Sequence, residues 1–326
     1  MKVKVSTWPK MVANGQDMST CYTNISCRQI SMIYLLSLLS FVLSTLNASL
    51  IESDENFLTG NNFKAHCDHY VDLNEISLTP SEVGPAEIIF VSGPRLRLFF
   101  EEFHPKLPHP YILVSHDESV SAPCPFSSYL NDPKLIAWFG QNVQHAKHPK
   151  LHPIPLGLQN KRWWFKFGDL EVTKKKLSEP EQERTIELYM NFNVGTYKRE
   201  RELVYNLFKN QDFCYISPAK GYDEYLDDLR ISKFVLSPRG YALDCHRIWE
   251  CLLMGAIPIV KTSDLDPLFE DLPILIINNW SQITPNYLKF KYEEMKNKNY
   301  KMEKAYIPYW IDQIRRVKAD YLQRFN

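Results

Sequence analysis

The segment Ser232–Asp264, SKFVLSPRGYALDCHRIWECLLMGAIPIVKTSD, holds the densest set of residues able to do chemistry. Arg239 and Gly240 fall just past an apolar run. His246, Arg247 and Glu250 follow at helical spacing, with His246 and Glu250 an i,i+4 pair on one face near the front of a helix. Backbone N–H groups at a helix start bind phosphate. An arginine adds fork-shaped, charge-assisted bonds to phosphate oxygens, and a carboxylate one turn further on can accept from ribose hydroxyls. The set fits a nucleoside diphosphate sugar. Read as structure alone, Glu250 is a solvated helix carboxylate, His246 packs between domains, and Arg247 pairs with Asp244 or Glu250 along the helix.

These residues need elements to hold them. Glu87–Ser92, Tyr111–Ser115 and Leu135–Phe139 are continuous apolar runs suited to strands buried on both faces, with an apolar-faced helix over Leu96–Phe103 between the first two. His145–Leu158 reads as a Pro- and His-rich loop, and the charged stretch Glu171–Glu183 as a solvated helix or linker where the chain changes domain. A second alternating series follows. Strands are expected at Thr185–Met190, Phe213–Ile216, Lys233–Leu236, Ile257–Val260 and Ile274–Ile277. Helices are expected from Thr196 to Phe208, over Tyr222–Arg230, from Asp244 to Met254 with Gly255 as the stop, and over Asp264–Glu270. The tail, Ala305–Phe325, has apolar residues at helical spacing. Two βα units in series predict an α/β chain with two parallel sheets and a ligand cleft between them.

The pattern Ser237-Pro-Arg-Gly240, Asp244, His246-Arg247, Trp249-Glu250 and Leu253-Met-Gly-Ala-Ile-Pro-Ile259 resembles the donor-binding segment of exostosin-like glycosyltransferases (family 47). Met190-Asn-Phe-Asn-Val-Gly-Thr-Tyr-Lys-Arg-Glu-Arg201 is similar to the first strand–turn–helix of their C-terminal domain. The resemblance implies a GT-B fold: an acceptor-side Rossmann-like domain over 85–170, a donor-binding one over 184–300, and a terminal helix over 301–326. It implies transfer of a sugar from a nucleotide sugar, a UDP-sugar, to a glycan or glycoprotein, with inversion and no essential metal. Glu250 would hold the ribose, and Arg239 and Arg247 the diphosphate. Gly240 would form the turn, and His246 would lie near the donor. Lys198, Arg199 or Arg201 would add phosphate contacts. Inversion needs a base on the acceptor hydroxyl, for which His116 and Asp117, just past the strand Tyr111–Ser115, are the candidates. The rival readings are a GDP-fucose-dependent transferase, against which Asp244-Cys-His-Arg departs from the usual helix start, and a membrane-tethered binding protein of the same fold without catalysis.

Lysine plus arginine (38) balances aspartate plus glutamate (38), which gives no support to a nucleic-acid-binding role. From Gln29 to Ile51 there is no charged residue. Basic residues precede this run and acidic ones follow it, which predicts a signal anchor over 30–51, a cytosolic tail over 1–29, a stem over 52–84 and a lumenal remainder in the Golgi or ER. A cleaved signal peptide ending near Thr45–Ala48, and so a secreted protein, is the alternative. Past the apolar run stand five cysteines, an odd number, so at least one is free or pairs between chains. Asn47-Ala-Ser and Asn279-Trp-Ser are glycosylation sequons in the lumenal part. Asp264-Leu-Asp266 looks like a metal-carrying DxD but reads as a helix start, and His145, His148 and His152 lack a carboxylate or cysteine to complete a metal site. Trp163 and Trp164 could stack on an acceptor sugar or pack under the linker.

Overall fold

The computed structural model describes residues 54–117, 120–145, 147–160 and 168–324, all within one compact unit spanning Ser49–Asn326. The apolar run at 30–51, the Asn47 sequon and Trp163 and Trp164 lie outside the described residues. Among the described residues no helix is long and apolar enough to cross a membrane.

Two five-stranded parallel sheets carry the fold. The first contains β1 (His69–Val71), β2 (Ile88–Ser92), β3 (Tyr111–His116), β4 (Leu135–Gln141) and β5 (Leu151–Ile154), side by side in chain order. Every residue of β2 and β3 is buried, as central parallel strands covered on both faces require. The second contains β6 (Ile186–Met190), β7 (Cys214–Ile216), β8 (Ser232–Leu236), β9 (Ile257–Lys261) and β10 (Leu275–Ile277) in the order β10-β9-β8-β6-β7. Strand order therefore reverses between β6 and β8. A reversal of this kind opens a crevice at the carboxyl ends of the two strands, because the following loops lead to opposite faces of the sheet.

The longer helices are α1 (Gly60–Ala65), α2 (Leu170–Ser178), α3 (Lys198–Phe208), α4 (Tyr222–Arg230), α5 (His246–Leu253), α6 (Pro285–Lys296) and α7 (Ile307–Gln323). Helix α5 ends as its sequence dictates. Gly255 takes φ +72°, the Gly255 N–H bonds to the Leu252 carbonyl and the Ala256 N–H to the Cys251 carbonyl, a Schellman stop. Helix α7 turns back to the first sheet and buries Ile307, Trp310, Ile311 and Ile314 in its core. Its Lys318 pairs with Asp68 at 2.9 Å.

Three expectations are corrected. The segment 52–84 is not a stem from Asp54 onward: it supplies α1, β1 and the core residues Phe57, Phe63, Val71 and Val83. A three-residue strand leaves no period to read, and β1 exists through its pairing with β2. The loop at 145–158 contains β5, an edge strand that tolerates Pro153 because one of its sides needs no donor. The charged stretch after Leu170 is helical, but Lys176 is buried between Asp223 (2.9 Å) and Asp227 (2.7 Å) and ties α2 to α4.

Candidate active site

The loops after β6 and β8 flank the reversal point, and Arg201 on α3 fastens them together. Its Nε donates to the Arg239 carbonyl (2.9 Å), one terminal nitrogen to the Asn193 carbonyl (2.9 Å) and the other to the Pro238 carbonyl (3.2 Å). Gly240 lies so close that a Cβ would stand 3.2 Å from that last nitrogen. Arg201 thus builds the turn: each of its three nitrogens is committed to a main-chain carbonyl, and the residue expected to contact phosphate is buried under the turn. Burial, and then the like charge of Arg247, push its guanidinium down to about 10. Lys198 and Arg199 are exposed. Lys198 lies 3.9 Å from Glu202, and Arg199 lines an outer pocket with Leu203 and Asn206. Of the three cations expected on this helix, only Arg201 touches the turn.

Two arginines remain at the crevice. Arg239 lies over the Tyr197 ring at 4.5 Å, and Arg247, in the first turn of α5, lies 6.0 Å from the Phe192 ring centre. The Nε of each is buried without a partner. Arg239 spends one terminal nitrogen on the Tyr241 carbonyl at 3.3 Å. Among the described residues the Arg247 guanidinium makes neither hydrogen bond nor ion pair. The pairing with Asp244 or Glu250 that the sequence allowed is not formed. Glu250 instead faces α4, where its carboxylate accepts from the Tyr225 hydroxyl at 2.9 Å and from Tyr222. Burial raises its pKa, opposed by those hydroxyls and by Arg247. Its solvated reading fails, since the residue is 6% exposed.

On the first sheet, His116 and Asp117 end β3. The His116 ring is buried with both nitrogens engaged: Nε2 donates to the Pro155 carbonyl (3.0 Å) and Nδ1 accepts from the Asp117 N–H (2.8 Å). Asp117 sits at φ +70° and its Oδ1 accepts from Asn160. Gly60 packs against it so tightly that a Cβ would fall 2.1 Å from that oxygen. His116 has no free lone pair for an acceptor proton.

The loop before α5 bolts the two sheets together, a role the sequence reading missed. Asp244 Oδ2 accepts from the Leu156 N–H (2.8 Å), both oxygens accept from Trp249 Nε1, and the Asp244 N–H bonds to Asn142 Oδ1 (2.8 Å). His246 Nδ1 donates to the Gly157 carbonyl at 2.7 Å. Burial pushes Asp244 up to about 6 and His246 down to about 4. The two shifts act oppositely on stability. Folded Asp244 holds a proton the unfolded chain has released, so its contribution fades as pH rises from about 4 to 6. Folded His246 sheds a proton the unfolded chain keeps, so its contribution grows from about pH 4 to 6.5. Relative to the wild type, Asp244→Asn is therefore expected to gain about 3 kcal/mol across the first window, and His246→Asn to lose about 3 kcal/mol across the second. Urea unfolding at stepped pH reads both. Parallel curves for variant and wild type would refute the assignment.

Among the described residues no three His, Cys, Asp or Glu side chains converge on a possible metal site. Asp266 starts a helical turn, accepting from the Ser263 N–H at 2.9 Å, and Asp264 accepts from the His145 N–H at 2.9 Å. Cys67, Cys124, Cys214, Cys245 and Cys251 are all free thiols.

Residues 188–324, which carry most of β6, all of β7 to β10 and the arginines above, match the model of the RXYLT1 C-terminal domain. The matched segment is less than half of the chain. The resemblance to exostosin-like enzymes read from the Pro-Arg-Gly turn and helix α5 falls within the matched segment. Among curated proteins no sequence matches the chain. Solved structures similar to it include a chain of the GtfA/B complex (12% identity, TM-score 0.34, covering 74% of this chain and 57% of that one). TarM is similar at 10% identity and TM-score 0.35, covering 73% and 53%. The UDP-GlcNAc 2-epimerase from Methanocaldococcus jannaschii is similar at 12% and 0.32, covering 66% and 72%. The chain spans little more than half the length of the first two, and none of these likenesses is close enough to carry a functional statement.

Proposed function

We propose that the protein transfers a sugar from a UDP-sugar to a glycan or glycoprotein, inverting the anomeric centre without an essential metal, on a GT-B scaffold. The observation that carries this reading is the Arg247 guanidinium: buried at its Nε, hydrogen-bonded to no described residue, and placed with Arg239 at the crevice where strand order reverses. Buried guanidinium donors without acceptors are completed by a ligand that supplies them, and Glu250, engaged by two tyrosines, does not. A diphosphate does so, and its negative charge grows as the sugar leaves, so fixed cations stabilise the transition state more than the ground state. Arg201 adds no direct contact but holds the turn that presents Arg239. Glu250 already accepts from two tyrosine hydroxyls, which leaves lone pairs on its carboxylate for a ribose hydroxyl.

The anchor at 30–51 and a lumenal site in the Golgi or ER complete the proposal. The experiment is a panel of UDP- and GDP-sugars in EDTA, with nucleotide release and binding as readouts. UDP-xylose belongs in it, since the matched family is that of a xylosyltransferase. Release of UDP from one donor in EDTA is expected. A folded protein that binds no nucleotide would refute the reading, and turnover of GDP-fucose alone would move it to the rival donor.

A further inference from the structure

Resting on the transferase reading, we infer that His246 is the base that takes the acceptor proton, oriented by the main-chain carbonyl of Gly157. Three observations converge on it. First, the ring is fixed: Nδ1 donates to the Gly157 carbonyl at 2.7 Å, which makes Nδ1 the protonated nitrogen and leaves Nε2 with its lone pair. Second, that lone pair is uncommitted, since no described group bonds to it, whereas both nitrogens of His116 are consumed by main chain. Third, the position lies between the two halves of the reaction. His246 precedes Arg247 in the first turn of α5, while its ring meets the loop after β5 and lies within electrostatic reach of His116 and Asp117 at the end of β3. A base there has the diphosphate cations on one side and the acceptor-side strand ends on the other.

The step balances without further reactants. The acceptor hydroxyl gives its proton to Nε2 as its oxygen bonds to the anomeric carbon. The bond from that carbon to the β-phosphate oxygen breaks, and its electron pair leaves on UDP, beside Arg247 and Arg239. The ring becomes cationic with Nδ1–H still on the Gly157 carbonyl, and the Asp117 carboxylate favours that charge. Burial holds the ring's pKa at about 4, so at neutral pH it carries no proton on Nε2, the form a base requires.

The test is His246→Asn in the full chain. The asparagine Nδ2 takes the place of the ring Nδ1 and can keep the bond to Gly157, while nothing replaces Nε2. UDP is the binding probe, and UDP release from the UDP-sugar that the wild type turns over is the rate. UDP affinity within about threefold of the wild type is expected, with turnover down by roughly 10²–10⁴-fold. His246→Gln, assayed with and without added imidazole, is the second variant should the asparagine protein not fold. Turnover within tenfold of the wild type in either variant overturns the inference. So does loss of UDP binding in a folded variant, which would make His246 a donor ligand. A wild type that neither binds UDP nor releases it from any donor refutes the transferase reading itself, a result distinct from failure of the base alone.

Discussion

Arg247→Met is expected to cost the protein its nucleotide while changing its stability little. The guanidinium is enclosed beside Arg201, whose own charge it disfavours; it bonds to no described residue, and the Glu250 carboxylate one turn on attracts it only through space. Methionine keeps the apolar stem against Phe192 and removes the charge. Folding then loses the attraction of the buried Glu250 carboxylate as well as the repulsion of Arg201, so the melting temperature is expected to stay within a few degrees of the wild type. Binding loses charge-assisted bonds worth about 1.5–3 kcal/mol each. Two of them amount to a weakening of UDP by roughly 10²-fold or more. Calorimetric titration with UDP beside a thermal melt separates the two effects. A variant that binds UDP like the wild type would remove Arg247 from the site. One that binds poorly because it melts many degrees lower would make the residue structural.

Such a combination of weaker function with little-changed stability marks ligand-binding charge, and it distinguishes Arg247 from Arg201. Removing Arg201 would orphan the Pro238 and Arg239 carbonyls of the turn at once and take one donor from the Asn193 carbonyl, which Thr196 also bonds. In sequence the two arginines look alike, each near the front of a helix that follows a strand. Their difference lies in what the other strand's loop brings to them, and only the packed sheet determines that.

The elements around this site were legible because their signals are local. A buried strand, a Pro-Arg-Gly turn, a helix with one apolar face and a glycine stop each need only neighbouring residues, and β8, α5 and β9 stand within two residues of where the sequence placed them. What escaped was non-local or too short. The strands β1 and β5 exist through their partners. Helix α6 was passed over although Thr284 caps it and Pro285 opens it, a start signal that was present, because charges and aromatics blur its apolar face. Glu250 was expected to face a ribose and turns toward Tyr222 and Tyr225, residues some 25 positions upstream. Asp244 drew notice only as part of the motif, since its role depends on Asn142 and Leu156 in the other sheet.

Those cross-sheet ties make a glycine outside the motif the most sensitive backbone position of the site, and Gly157→Ala is expected to damage both fold and turnover. Gly157 holds φ +71°, and a Cβ there would stand 2.2 Å from the Leu58 carbonyl oxygen, backbone that cannot step aside like a flexible side chain. The same oxygen accepts from the Leu158 N–H at 2.7 Å, so relief of the clash breaks a hydrogen bond. Left-handed strain of about 1–2 kcal/mol and overpacking of about 1–3 kcal/mol together predict a melting temperature lower by roughly 5–15 °C. Gly84→Ala, where the nearest atom is a Glu87 side-chain oxygen at 3.4 Å, is expected to change little and serves as the control. The functional loss should exceed what stability alone explains. Gly157 presents the carbonyl that His246 uses, and its neighbour Leu156 supplies the N–H that Asp244 uses, so a shift of this loop loosens the front of α5 at two points. Arg201 and Arg239 hang on other elements and keep their places. At a temperature where the alanine variant is fully folded, UDP release should therefore fall further than UDP affinity does. Equal losses would place the damage in the donor pocket, and unchanged turnover would show that the Gly157 carbonyl does not govern the ring.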